Sequence, residues 1–321
     1  MFRYLVRRVL WAAVLFVAVT IVTFVIFFMV PAEPARLCAG PQGRAEQIER
    51  CRVFLGLDKP LYVQYGRYMK RLVVDRSLGR SFASRQDVNV IVMRAAPVTA
   101  SLVFGGALLW LLLAVPLGIL SALRPRSLLD RVAMVFVLVG ISAHPVWIGL
   151  ILSYVIGYKL QLTPLGGYCD FINPSTDCGG PVDWLHSMIL PWTAFALLFA
   201  ALYVRMIRAN TLDTLNEDYV RTARAKGAGE SRVMRSHVLR NSMMPIVTML
   251  GMDVGLALGG AIFTESVFGL PGLGKVAIES LTGFDMPIIV GITVFATLAI
   301  IVFNLAVDLA YAWVDPRIRL S

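Results

Sequence analysis

Charged residues are scarce in this chain. They make up 16% of its 321 residues, against about 25% in a soluble globular domain. With 58% hydrophobic residues and a mean hydropathy of +0.73, too little polar surface remains for a water-soluble fold, so lipid must solvate part of it. Histidine and cysteine are rarer still, at three and four. No C-x-x-C or H-E-x-x-H spacing occurs, so no metal is expected. No G-x-x-x-x-G-K-[ST] run occurs either, which excludes nucleotide binding through a P-loop. No Ser/His/Asp set or carboxylate pair converges within the apolar stretches, which argues against a membrane enzyme. Few ionisable groups fall inside those stretches and no repeat exists at their level, which counts against an ion-driven carrier. The charge that is present favours one sign, thirty Lys+Arg against twenty Asp+Glu, or +10. In a soluble chain that balance suggests nucleic acid. In this one it reports which side of a membrane each loop occupies, and no nucleic-acid partner is expected.

A membrane span takes about 20 mostly apolar residues. Six stretches qualify: Val9–Val30, Val98–Leu123, Val132–Tyr158, Met188–Val204, Ser242–Thr264 and Ile288–Ala312. The first follows Arg3, Arg7 and Arg8, as a signal peptide would, but it exceeds the roughly 7–15 residues of a signal core and reads as an uncleaved span. With the N-terminus inside, the short inner segments (1–8, 124–131, 205–241 and 313–321) hold sixteen basic residues. The short outer loops hold two, Lys159 and Lys275. That bias predicts both termini on the cytoplasmic side of the cell membrane. The long outer loop 32–97 is +6, and long loops translocate regardless of charge.

All four cysteines then lie outside, where disulfides persist. Cys38 and Cys51 share the first outer loop, Cys169 and Cys178 the second, so local pairs are the simplest of three connectivities. Loop 32–97 is too long for a connector and predicts a small extracytoplasmic module. Its helices fall near Glu46–Leu55 and Pro60–Val74, with Tyr62, Tyr65 and Tyr68 read as packing residues ahead of ligand contacts.

The segment 205–241 is the most informative inner stretch. Asn216 can cap a helix whose first turn carries Glu217 and Asp218. Its last turn carries Arg224 and Lys226, and Gly227 stands at the left-handed C′ position. A helix Glu217–Lys226 of about ten residues follows, then a second over Glu230–Arg240. Such a short capped helix between two spans can act as a lever for a cytoplasmic partner or lie on anionic lipid.

The run Asp218-Tyr219-Val220-Arg221-Thr222-Ala223-Arg224-Ala225-Lys226-Gly227, followed by Leu239-Arg240-Asn241 and Pro245, resembles the EAA loop of ABC-importer permease subunits. Within that group the chain is similar to the B-type permeases of dipeptide and oligopeptide uptake. Tyr4-Leu5-Val6-Arg7-Arg8, Leu55 to Leu61 with Gln64-Tyr65, Ser77 to Ser81, Glu265 to Gly274 and Asp285-Met286-Pro287 match further family stretches in order. Thr222-Ala223 stands where Ala-Ala is commoner, and Asp218 where Glu is.

The resemblance implies a type I permease fold: all-α, six transmembrane helices, a peripheral first span (1–31), an outer scaffold loop (32–97), a five-span core (98–312) and a short tail (313–321). It implies a homologous permease subunit, two ATPase subunits that bind ATP and Mg, and an extracytoplasmic peptide-binding protein as partners, with no cofactor in this chain. It favours the lever over the lipid binder. Glu217, Asp218, Tyr219, Arg221, Ala223, Arg224, Lys226, Gly227 and Ala228 then contact an ATPase. Nickel, glutathione or another small solute is the alternative cargo.

Four residues are candidates for the translocation pathway or its gate: Asp253, Glu265, Phe268 and Pro271. Asp253 lies mid-span, where a carboxylate costs at least about 2.5–3.5 kcal/mol; it either faces the pathway or bonds another helix. Glu265 and the turn to Gly274 are expected to form an outer gate or docking lip. His144-Pro145 predicts a kink. Asp308, near the inner end of its span, carries little weight. Gly251, Gly255, Gly259 and Gly260 are expected to admit a close helix, such as that of a symmetry-related partner.

Overall fold

The computed structural model describes residues 2–26, 34–39, 43–55, 57–171 and 178–314. Its elements are α1 (Phe2–Phe24), α2 (Pro34–Ala39), α3 (Ala45–Leu55), α4 (Leu61–Val73), α5 (Val88–Leu123), α6 (Leu128–Ser142), α7 (Pro145–Leu152), α8 (Pro181–Leu215), α9 (Asp218–Ala225), α10 (Glu230–Arg232), α11 (Arg240–Ser242), α12 (Met244–Ala257), α13 (Ile262–Phe268), α14 (Leu273–Thr282) and α15 (Met286–Val314). A π-helical stretch, Ser153–Lys159, continues α7, and another, Val233–Leu239, joins α10 to α11. Among the described residues no β-strand forms. The far end of the first expected span (27–30), the Asp308 side chain and the tail from residue 315 lie outside the described residues.

Four helical segments are long and apolar enough to cross a membrane: Val6–Phe24, Val88–Leu123, Pro181–Leu215 and Met286–Val307. The other two apolar runs are broken. The pair α6 and extended α7 bends by 107°, and the pair α12 and α13 by 55°. At the first break Pro145 has no N–H to donate and disfavours a helical His144. His144 is extended instead and caps α7, its Nδ1 accepting from the Val146 N–H at 3.3 Å. At the second break Gly260 adopts φ +130°, a conformation closed to other residues. Apolar composition runs straight through both breaks, so a hydropathy reading merges each pair into one span.

The core centres on α5 packed along α8. Gly105 admits the Trp192 ring, where a Cβ would come within 2.0 Å, and the Trp192 indole donates to Ser101 O at 2.8 Å. The glycine stripe of α12 is used inside the chain. Gly251 faces Val307, and Gly255 faces Ile300 and Phe303, all on α15. The close helix expected at this face is α15 of the same chain.

The segment between α1 and α5 forms a small unit closed by a Cys38–Cys51 disulfide, with Cα atoms 6.0 Å apart. Cys169 is likewise joined to Cys178. Tyr65 and Tyr68 of α4 pack on Phe24 of α1, with ring centroids 5.5 and 6.1 Å away, while Tyr62 is exposed. The aromatics thus join the unit to α1.

Asp285 is the unit's other tether. Its buried carboxylate accepts from the Ser81 hydroxyl and from the N–H groups of Phe82 (3.0 Å) and Ala83 (3.2 Å). Hydrogen bonds to a charged group contribute about 1.5–3 kcal/mol. Asp285→Ala should therefore raise amide exchange at Phe82 and Ala83 by more than roughly tenfold, with exchange in α5 unchanged. Equal protection in both proteins would show that the loop is held by something else.

Candidate functional site

The stretch from α8 to α12 folds into a compact platform. α8 runs on as one helix through Leu215, eleven residues beyond the expected span end at Val204. Asn216 is its C-cap, with its amide donating back to Leu212 O at 3.0 Å. This corrects Asn216 as the N-cap of the next helix. The N-cap of α9 is Glu217, with extended backbone (φ −67°, ψ 145°) and no side-chain capping bond. The start of α9 therefore rests on the acidic first turn, Glu217 and Asp218 beside the positive end of the helix dipole.

The C-terminal end is closed completely. Gly227 sits at φ +80°. Its N–H donates to Arg224 O at 2.9 Å, and the Ala228 N–H donates to Ala223 O at 3.2 Å. These two bonds make a Schellman motif, and the hydrophobic contact that accompanies it is also present. Ala228 and Ala223 both pack on a small core of Val220, Val233 and Val238. All three valines are fully buried.

That core locks α9 onto the π-helical stretch Val233–Leu239. Two polar clamps reinforce it. Arg224 grips Glu230 with two of its three guanidinium nitrogens, Nε at 2.8 Å and Nη2 at 3.3 Å. Exposed pairs contribute at most about 1 kcal/mol, so this one orients more than it stabilises. Asn241 donates to the Tyr219 hydroxyl at 2.9 Å and to His237 O at 3.0 Å. Glu217, Asp218, Tyr219, Arg221, Arg224, Lys226 and Gly227 all remain exposed, while Ala223 and Ala228 are half-buried. Nine sequence-predicted residues thus lie in one short segment, with the polar ones outward. The sequence reading did not assign Asn241 this role, although the residue stands in the Leu239-Arg240-Asn241 motif.

A largely buried ion pair joins α5, α6 and α8. Arg208 on α8 holds the Asp130 carboxylate with Nε at 2.7 Å and Nη2 at 2.9 Å. Asp130 also accepts from the Ser121 hydroxyl on α5 and from the Arg126 N–H (2.8 Å). Sequence reading missed this group, because its partners are separated by 78 and 9 residues.

At the other end of the core, Glu265 is fully buried. Thr99 Oγ donates to it at 2.7 Å and the Lys275 N–H at 3.0 Å, while Thr99 Oγ also accepts from the Leu273 N–H at 2.8 Å. Gly272 approaches so closely that a Cβ would stand 2.4 Å from the Glu265 carboxyl carbon. Glu265 therefore ties the Gly/Pro-rich turn to α5 from within. Buried in this way, Glu265 offers no docking surface itself, which corrects the docking-lip half of the expected outer gate or docking lip. Phe268 is buried beside it, and of this group only Pro271 is exposed. Asp253 is half-buried and accepts from the Tyr203 hydroxyl at 2.7 Å, linking α12 to α8. It meets neither Glu265 nor Pro271 in a single site.

Comparison with known proteins bears on the whole chain. Residues 114–320 match the family model described as binding-protein-dependent transport system inner membrane component. Residues 1–103 match the model for the N-terminal part of such a membrane component. A protein of Escherichia coli (strain K12), named as a probable D,D-dipeptide transport system permease, is 37% identical over 330 residues, covering 98% of this chain and 97% of that protein. The oligopeptide transport system permease protein of Bacillus subtilis (strain 168) is 35% identical over 317 residues, covering 98% and 99%.

Proposed function

The chain belongs to the binding-protein-dependent transport system inner membrane components, and from that premise we propose that it forms half of an ATP-driven import pathway for di- or oligopeptides. The observation that carries this reading is α9. It is a short helix closed by a Schellman motif, fixed to a platform between α8 and α12, with its polar face open to a partner. Six spans result when each bent pair counts as one. An even number of spans sets both termini on one side, and the sixteen basic residues of the short segments 1–8, 124–131, 205–241 and 313–321 support the cytoplasm as that side, with 32–97 extracytoplasmic and α9 facing the ATPases. A homologous permease completes the pathway, a binding protein delivers the peptide, and two ATPases hold ATP and Mg. The peptide names of the two relatives support the cargo.

Peptide uptake into liposomes holding the assembled complex tests this. ATP-dependent accumulation of a labelled peptide, competed by unlabelled peptide, is expected. Accumulation of nickel or glutathione with no peptide uptake would replace the cargo. Peptide uptake without ATP would overturn the importer itself.

Asp253 is assigned to the pathway as an attractor for a peptide's amino group, through the oxygen that Tyr203 does not occupy. Asp253→Asn keeps an acceptor for Tyr203 but removes the charge. The complex should assemble with unchanged thermal stability, and the KM for peptide should rise roughly fivefold, the equivalent of about 1 kcal/mol. An unchanged KM would reduce Asp253 to a bond between helices.

A further inference from the structure

Two apolar runs are broken, and the chain itself covers only one of the breaks. At the second, Leu258 is buried. Gly260 and Gly259 are backed so closely that a Cβ would stand 2.8 Å from Gly274 Cα and 3.1 Å from Ala296 Cβ. At the first, Ser142 and His144 are both exposed. The 107° bend turns α7 aside, so no helix continues α6 past Ser142. Pro145 has no N–H, and the Val146 N–H goes to the His144 ring. Among the described residues no N–H donates to the carbonyls of Gly140, Ile141 or Ser142, and the Ser142 hydroxyl has no partner. Because His144 Nδ1 accepts a hydrogen bond, the ring proton is on Nε2 and the imidazole brings no positive charge. Phe263 of α13 packs edge-on against that ring, with centroids 5.1 Å apart, and steadies it.

The depth of this opening is what makes it informative. α6 has 15 residues, a rise of about 22 Å, and it starts beside the surface marked by Arg124 and Arg126. A hydrocarbon core is about 30 Å thick, so the break lies within it. Irregular backbone at that depth persists only where protein buries it or water reaches it. A helix laid across the break would leave the three carbonyls bare, because a helix spends its own N–H groups internally. Water satisfies them. The same end of α6 also carries the negative pole of its dipole, about half an elementary charge.

We propose that the open end of α6 lines the translocation pathway and receives the ammonium group of the passing cargo on the carbonyls of Gly140, Ile141 and Ser142. The C-terminal ends of broken membrane helices suit cations in this way, whereas a carboxylate would meet the repelling end of the dipole. The site rests on the import reading for its cargo. Its chemistry is that of neutral groups and is separate from the charge of Asp253, which is bonded to α8.

The chain's four cysteines are paired in two disulfides, so Ser142→Cys places a lone thiol at the break. The assembled complex in liposomes is treated with a cationic or an anionic methanethiosulfonate, and modification of this chain is followed by its mass. Both reagents should react, since a thiol in contact with water can ionise. Normalised to a free thiol in solution, the cationic reagent should react roughly tenfold faster, counting the helix-end effect once for attraction and once for repulsion. That preference should persist when Asp253→Asn is added. Val14→Cys, exposed on α1, should stay unmodified as a lipid-facing thiol. Dialanine should slow the cationic reagent, and N-acetyl-dialanine, which lacks the ammonium group, should not. An unreactive thiol at position 142 would mean that a partner chain covers the break, and would overturn the site. Equal normalised rates, or a preference lost with the Asp253 charge, would overturn its selectivity for cations. Equal slowing by the two peptides would overturn recognition of the ammonium group. Dialanine uptake is measured in parallel. Uptake without protection overturns the site, whereas absent uptake with the cationic preference intact overturns only the import reading.

Discussion

Arg208→Ala is expected to destabilise the assembled complex by about 3–5 kcal/mol, the scale for a buried ion pair that loses one partner. The Asp130 side chain is 7% exposed and that of Arg208 25%, so removing the arginine strands a carboxylate with little access to water. Ser121 and the Arg126 N–H would still donate to it, but neither carries charge. Thermal unfolding in detergent, with the fraction of intact complex read alongside, measures the loss. Asp130→Asn should cost less, because Arg208 is the more exposed partner and can turn toward water. The joint variant Asp130→Leu with Arg208→Leu should also cost less than Arg208→Ala, since replacing both charges leaves none unpaired. With Asp130→Leu and Arg208→Leu also made singly, a joint loss equal to the sum of those two single losses would mean that the residues act independently, and the anchor joining α5, α6 and α8 would have to be sought elsewhere.

That anchor marks where sequence reading stopped. Local features were legible because their causes are local. The apolar runs located α1, α5, α8 and α15, the Lys226-Gly227 step marked the end of α9, and His144-Pro145 marked a break. The cap of α9 was misplaced by one residue. Asn216 is a good capping type, but α8 runs further than the apolar stretch suggests, and the Asn216 side chain is engaged by that helix. The bends at Ala143 and Gly260 were invisible to hydropathy, which measures composition along the chain and carries no direction. The two π-helical stretches have no compositional mark either. Contacts of long separation were the least legible. Ser81 and Asp285 stand in two stretches that each match the family, yet the 204 residues between them hide that one tethers the other. Thr99 and Glu265, 166 residues apart, show the same limit. A carboxylate read at a loop edge proves to be an internal tie once an unremarkable threonine from another helix reaches it.

Gly227→Pro is expected to abolish ATP-dependent uptake while the complex still assembles and hydrolyses ATP, and the reasons converge on one residue. Proline holds φ near −65°, whereas Gly227 stands at +80°. It also removes the N–H that donates to Arg224 O. Finally, it disfavours the helical region for the preceding residue, and Lys226 is at φ −79°, ψ 6°. The Schellman closure would therefore open, and Ala228 would leave the core of Val220, Val233 and Val238. The damage stays local, because that core is separate from the packing of α5 on α8. Gly227→Ala gives a graded comparison. A Cβ there meets nothing within 4 Å, so its only cost is the left-handed backbone, about 1–2 kcal/mol, and uptake should fall without vanishing. If α9 transmits force, its ability to do so depends on being unable to swivel, and the two variants loosen it by different amounts. Uptake that falls in the order wild type, Gly227→Ala, Gly227→Pro, with hydrolysis retained throughout, identifies the closure as the mechanical link. Unchanged uptake in Gly227→Pro would remove α9 from the coupling path and return it to the membrane surface as a lipid-facing helix.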